Sequence, residues 1–215
     1  MNTLFPAFLN LSNQLCTVIG GGAVALRKIR SLLDCQAAIR VIAPSCIAPI
    51  QQLFQEQKID LIQRAYAAGD VDGSFLVVAA TNNRDVNADI ARLCNARQTL
   101  CNIVNAPDLG NFHFAPAYAC GDLKIAVSTN GAAPALAGKM KADLAAQYPD
   151  EYLPYLQYLR RIRETVKKKI PEESTRKRIL KNIIADSGVL SQCRDEQFCR
   201  QIDNLDYSRE VEKWL

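Results

Sequence analysis

The residues best suited to chemistry are three consecutive glycines. Gly20-Gly21-Gly22-Ala23-Val24-Ala25 follows the apolar run Cys16-Thr17-Val18-Ile19 and leads into Leu26-Arg27-Lys28. The order is strand, G-x-G-x-x-A, helix. In that arrangement Gly20 permits a tight turn, Gly22 lets a pyrophosphate approach the backbone, and Ala25 lets helix and strand pack closely. The helix N-terminus then presents free N–H groups and a partial positive charge. The chemistry predicted is dinucleotide binding, with Gly20, Gly21, Gly22, Ala23 and Val24 as the phosphate cradle. The next strand ends Val41-Ile42-Ala43-Pro44-Ser45, which makes Ala43, Pro44 and Ser45 further candidate contacts. That segment carries neither an acid to hold a ribose hydroxyl nor an Arg to favour a 2′-phosphate. NAD is the expected cofactor, although this segment does not decide between NAD and NADP. Val77-Val78-Ala79-Ala80 runs into Thr81-Asn82-Asn83, where Thr81 and Asn82 are candidate cofactor contacts. The other reading of the two asparagines is that they cap the following helix.

The elements that must position these residues recur through the first 130 positions. Leu15–Ile19, Ile39–Ala43, Ile59–Ile62, Phe75–Ala80, Leu100–Val104 and Lys124–Ser128 read as short strands, most of them almost continuously apolar. Such strands suit a sheet covered on both faces. Helical patterns over Ala23–Cys35, Ile47–Gln57 and Arg84–Arg97 lie between them. Alternation of this kind predicts an α/β, Rossmann-type parallel sheet with its ligands at the strand C-termini. After about residue 110 the pattern changes. Asn111–Ala119 and Leu123–Ser128 look like a strand pair joined at Gly121-Asp122. Ala133–Gln147, Tyr152–Lys169, Glu173–Ala185 and a last stretch near Asp195–Trp214 look helical, the second through its repeat of Tyr152, Tyr155, Leu156, Leu159, Ile162 and Val166. The expected organisation is a dinucleotide-binding domain over 1–111, a small region over 112–150 and a helical C-terminal domain over 151–215.

Composition bounds the alternatives. In 215 residues, 49% are hydrophobic and 22% charged, the balance of a globular chain rather than a disordered one. No apolar run approaches the 18 or so residues of a membrane span. MNTLFPAFLN has no basic segment and is broken by Pro6, so no signal peptide is expected. A net charge of +4 is too mild to demand nucleic acid but suits an acidic small molecule. Arg160–Lys169 holds six basic residues and one acid, either a solvated helix face or an anion-facing surface. The eight cysteines, at 16, 35, 46, 94, 101, 120, 193 and 199, include no CxxC pair, and there is one histidine. They read as reduced thiols of a cytoplasmic protein rather than a zinc site.

Six segments in order, FPAFLNL, VIGGGAVALRK, RVIAP, VVAATNN, CNIVNAPDLGNFHFAPA and IAVSTNGAAPALA, resemble the dehydrogenase/ferrochelatase module of siroheme synthase and the free-standing precorrin-2 dehydrogenases. The resemblance runs from residue 4 to about 170. It implies NAD-dependent oxidation of precorrin-2 to sirohydrochlorin, with iron insertion in some members. It also implies a Rossmann domain, a central dimerisation region, a helical C-terminal domain, and a homodimer with the substrate cleft between domains. The tetrapyrrole is polyanionic, so Lys124, Lys139 and Lys141 become candidate substrate contacts, with part of Arg160–Lys169. The family pattern places an Asp where this chain has Asn105, and that residue is proposed to serve both reactions. An amide cannot ionise, so the departure touches metal insertion more than oxidation. Asp108 and His113 are the neighbours able to substitute, each with a structural alternative: a turn for Asp108 and a strand for His113. Ser128 matches a serine bordering the family's cleft, where it would bond a substrate carboxylate or cap a turn. Whether any metal binds is open. The remaining alternatives are a chelatase alone, or a nucleotide- or tetrapyrrole-binding regulatory or carrier protein without catalysis.

Overall fold

The computed structural model describes residues 4–215, which form two compact units, one of residues 4–114 and one of residues 115–215. The first alternates strands and helices: β1 (Leu15–Ile19), α1 (Ala23–Leu33), β2 (Ala38–Ile42), α2 (Ala48–Gln55), β3 (Asp60–Ile62), β4 (Leu76–Ala79), α3 (Arg84–Ala96) and β5 (Leu100–Ile103). All five strands are parallel, in the order β3-β2-β1-β4-β5. This is the Rossmann-type sheet the alternation predicts.

The strands read as continuous apolar runs because both faces are covered. Cys16, Val18, Leu76 and Val78 pack on one side against Ile29 and Leu32 of α1 and Ile50 of α2. The residues of opposite parity, Ile19, Val77 and Ala79, join Cys101 and Ile103 of β5 against Ile90 and Cys94 of α3. Thr17 is the polar exception on β1, and its buried hydroxyl is bonded to that of Ser74 at 2.8 Å. Arg64, just past β3, makes a two-pronged ion pair with the buried carboxylate of Asp70 at 2.5 and 2.7 Å. That pair holds the Asp70 carboxyl below the usual range.

The segment read as one strand over Asn111–Ala119 is a strand only at its end. β6 (Ala117–Cys120) pairs antiparallel with β7 (Leu123–Ala126) across a turn in which Gly121 has φ +54°. Residues 111 and 112 are instead held beside β5 by their backbone N–H groups, both donating to the Cys101 carbonyl at 3.0 Å, and by side chains. Asn111 accepts from the Cys101 N–H (2.7 Å), and the Asn102 amide donates to the Phe112 carbonyl (2.9 Å). His113 is therefore not a strand residue, which corrects the structural alternative given for it above.

Four of the six helices in the second unit are α4 (Pro134–Gln147), α5 (Tyr152–Lys169), α6 (Glu173–Ala185) and α7 (Ser187–Gln192). The long last helix expected near Asp195–Trp214 is broken into α8 (Glu196–Gln201), a 3-10 turn, and α9 (Tyr207–Glu212). Asp186, Asp195 and Asp206 each accept a backbone N–H at the start of the next helix, at 2.7, 2.9 and 3.0 Å. Such caps favour new helix starts over continuation. Tyr155, Tyr158, Ile162 and Val166 of α5 form the spine of this unit's core, against Ile179, Ile183, Phe198 and Val211. None of the described helices is long and apolar enough to cross a membrane.

Candidate functional site

A cavity of about 710 Å³ opens at the C-terminal ends of β1, β2 and β4. This is where the strand order reverses about β1, the usual ligand position in such sheets. The ten residues expected to contact a cofactor, Gly20 to Val24, Ala43 to Ser45, Thr81 and Asn82, all line it.

The three glycines have different reasons for lacking a side chain. Gly20 has φ +130° and donates its N–H to the Ile42 carbonyl at 2.9 Å. A Cβ there would press on the Ala80 carbonyl, only 2.8 Å from its carbon. Gly21, which the motif leaves free, is equally enclosed. Its Cβ would collide with the Ser45 carbonyl oxygen and lie 2.9 Å from the Cys46 Cα. Gly22 caps α1 with φ −94° and ψ −174°, values open to any residue, and no atom lies within 4 Å of where its Cβ would be. Its bareness serves space, not strain. Helix α1 has no acidic residue in its first turn and no side-chain cap, so its terminal N–H groups are left for an anion. Ala25 is buried against the sheet, as close helix–strand packing requires. These features fit a dinucleotide pyrophosphate.

The rest of the wall includes residues that sequence reading did not single out. Cys46 and Ile47 border it from the turn into α2, and Tyr66 from the loop after β3. Burial pushes the Cys46 thiol up from its ordinary pKa, so it stays protonated. The Tyr66 hydroxyl donates to Asp89 at 3.2 Å; burial, then the Asp89 charge, raises its pKa and keeps it a donor. No spacing in the sequence points to Tyr66. Asn83, rather than Asn82, caps α3, accepting from Asp85 (2.9 Å) and Val86 (3.2 Å).

Asn105 lies just past β5 and borders a second hollow of about 420 Å³, with Arg84, Asp85 and Asn87 among the other lining residues. Asn87 is 1% exposed, and it links the two cavities. It donates to the Thr81 carbonyl at 3.0 Å and to Asn105 Oδ1 at 2.8 Å, and accepts from the Thr81 hydroxyl at 2.7 Å. Asp108 is exposed in a 3-10 turn (Pro107–Leu109), and His113 is half-buried; neither lines this hollow. Ser128, Lys124, Lys139 and Lys141 belong to the unit of residues 115–215. Ser128 Oγ accepts the Asn130 N–H at 3.1 Å, a turn-capping bond. Lys124 on β7 and both lysines on α4 are exposed. Among the described residues no group of three His, Cys, Asp or Glu side chains could hold a metal ion.

Comparison with known proteins agrees with this geometry. Residues 7–116 match a family model described as NAD(P)-binding, and residues 121–147 match one for the central part of sirohaem biosynthesis proteins. Siroheme synthase of Pseudomonas paraeruginosa is 36% identical over 178 residues, 83% of this chain and 38% of that protein. Siroheme synthase of Methylococcus capsulatus is 36% identical over 172 residues, 80% and 36% of the two chains. The chain thus spans under two fifths of the length of these curated relatives. The solved structure of SirC, precorrin-2 dehydrogenase, superposes with a TM-score of 0.76 at 29% identity, covering 94% of this chain and all of that one.

Proposed function

The chain belongs to the precorrin-2 dehydrogenase family of NAD(P)-binding proteins, which it shares with SirC and with part of the siroheme synthases, and on that premise we propose that it oxidises precorrin-2 to sirohydrochlorin with NAD. The observation that carries this reading is the glycine-floored cavity at the α1 N-terminus. A bound NAD supplies a hydride acceptor, and the overall change releases one further proton to the surroundings. Asn105 has no ionisable group to take it. Of the side chains bordering the second hollow, Asp85 alone is a proton acceptor. Metal insertion must strip two pyrrole protons, so one carboxylate there supports oxidation over chelation. Lys124, Lys139 and Lys141 offer exposed cations to the substrate carboxylates. Eight free cysteines, five of them buried, support a reducing cytoplasmic setting. The test is incubation with precorrin-2 and NAD, followed by absorbance. Sirohydrochlorin formed without added metal is expected. Pigment and NAD binding without turnover would select the carrier reading, and metal insertion without oxidation would select a chelatase.

We also infer that residues of the 121–147 region pair with a second copy. Of the 14 residues of α4, Ala137 alone is buried, while Leu136 and Met140 are 50% and 43% exposed. Leu136 and Met140 stand one turn apart on the same helix face, and an exposed apolar stripe of that kind is ordinarily covered. Leu136→Glu combined with Met140→Glu should convert a dimer to a monomer in analytical ultracentrifugation. A monomeric unsubstituted protein would overturn the dimer.

A further inference from the structure

Asn87 fixes the orientation of its neighbours by a chain of necessity. The Thr81 carbonyl can only accept, so the Asn87 amide atom 3.0 Å from it is Nδ2. Asn87 Oδ1 therefore faces the Thr81 hydroxyl, which donates at 2.7 Å. The second N–H of Asn87 reaches Asn105 at 2.8 Å, so the Asn105 atom there is Oδ1. The Asn105 NH₂ group is thereby turned away from Asn87, on a side chain that borders the 420 Å³ hollow. Arg84, on the same wall, also presents only donors, and Asp85 is the one carboxylate.

Building on the precorrin-2 reading, we propose that Asn105 is a fixed hydrogen-bond donor to an acceptor oxygen of the bound tetrapyrrole, one of its carboxylates, and that Asn87 is the positioning residue that keeps it a donor. Because Thr81 lines the cofactor cavity and bonds to Asn87, the donor is registered against the cofactor seat. The nicotinamide carboxamide offers an oxygen of the same chemistry, and separate titrations distinguish the two sources.

The experiment titrates the full chain with sirohydrochlorin, by pigment absorbance, and with NAD, by calorimetry. Asn105 is exposed, so Asn105→Ala and Asn105→Asp should fold. Losing a hydrogen bond to a charged group should raise the sirohydrochlorin Kd about tenfold in Asn105→Ala. Asn105→Asp, which sets like charge against the carboxylate, should raise it further, with the NAD Kd within about twofold. Asn87→Ser frees the Asn105 amide to turn and should show most of the same loss. The double variant Asn87→Ser/Asn105→Ala should bind no more weakly than Asn105→Ala alone. Additive losses would reduce Asn87 to a structural residue. A raised NAD Kd with unchanged sirohydrochlorin binding would reassign the acceptor to the carboxamide and overturn the proposal. Equal pigment binding by all the Asn105 variants would overturn the donor while leaving the dehydrogenase reading intact. An unsubstituted protein that binds no sirohydrochlorin would overturn both.

Discussion

Gly22→Asp is expected to weaken dinucleotide binding by at least about a hundredfold while unfolding at or above the temperature of the unsubstituted protein. The two effects separate because Gly22 is bare for the ligand and not for the fold. Its φ of −94° and ψ of −174° are ordinary extended values, and nothing lies within 4 Å of the missing Cβ. It is the N-cap of α1, which has no side-chain cap and no acid in its first turn. Aspartate is among the best N-cap residues and favours the helix dipole, together on the order of 0.5–1 kcal/mol. The same carboxylate would take the helix N–H groups and place a negative charge where the pyrophosphate must sit. Two lost charge-assisted bonds, each about 1.5 kcal/mol or more, already give the hundredfold before repulsion is added. Calorimetric titration with NAD and NADP, beside thermal unfolding without ligand, checks both halves. Undiminished affinity would mean the dinucleotide is seated elsewhere.

That contrast shows what the sequence could disclose. The G-x-G-x-x-A spacing places the cradle, because glycine types at a strand–helix junction have few other uses. It misreads Gly21, whose confinement comes from the Ser45–Cys46 turn more than twenty residues away. The parallel sheet was legible because strands covered on both faces lose their alternation. The C-terminal helices were less so: the apolar repeat continues past Asp206, where the capping bond made by that side chain starts a new helix. Asn87 was illegible for a related reason. It stands six residues after Thr81, which it meets across the first turn of α3, and eighteen before Asn105, which it reaches only because α3 packs beside β5. Tyr66 enters the cavity from an irregular loop with no pattern of its own.

The largest losses of stability in the cradle should fall on the two glycines that face protein. Gly20→Ala is expected to destabilise by about 2–6 kcal/mol, combining left-handed backbone strain of roughly 1–3 kcal/mol with overpacking of roughly 1–3 kcal/mol. The strain follows from φ +130°, and the overpacking from the Ala80 carbonyl carbon at 2.8 Å. Neither is easily relieved. The Ala80 N–H is bonded to the Ile19 carbonyl at 2.8 Å, so Ala80 cannot recede without parting β4 from β1. A loss near 3 kcal/mol corresponds to a Tm lower by about 10 °C for a chain of this size. Gly21→Ala carries no positive-φ penalty, but its Cβ meets backbone at Ser45 and Cys46, and about 2–3 kcal/mol is expected from overpacking. Moving that turn also strains the bond from the Ile47 N–H to the Gly21 carbonyl, 2.9 Å long. Gly22→Ala should cost less than about 1 kcal/mol, as a poorer cap. Urea unfolding of the three variants should therefore rank them in chain order, Gly20 worst and Gly22 mildest, although the motif alone ranks Gly21 as the freest. A neutral Gly21→Ala would show that the Ser45–Cys46 turn yields at little cost. The close fit of that turn against Gly21 would then no longer explain the third glycine.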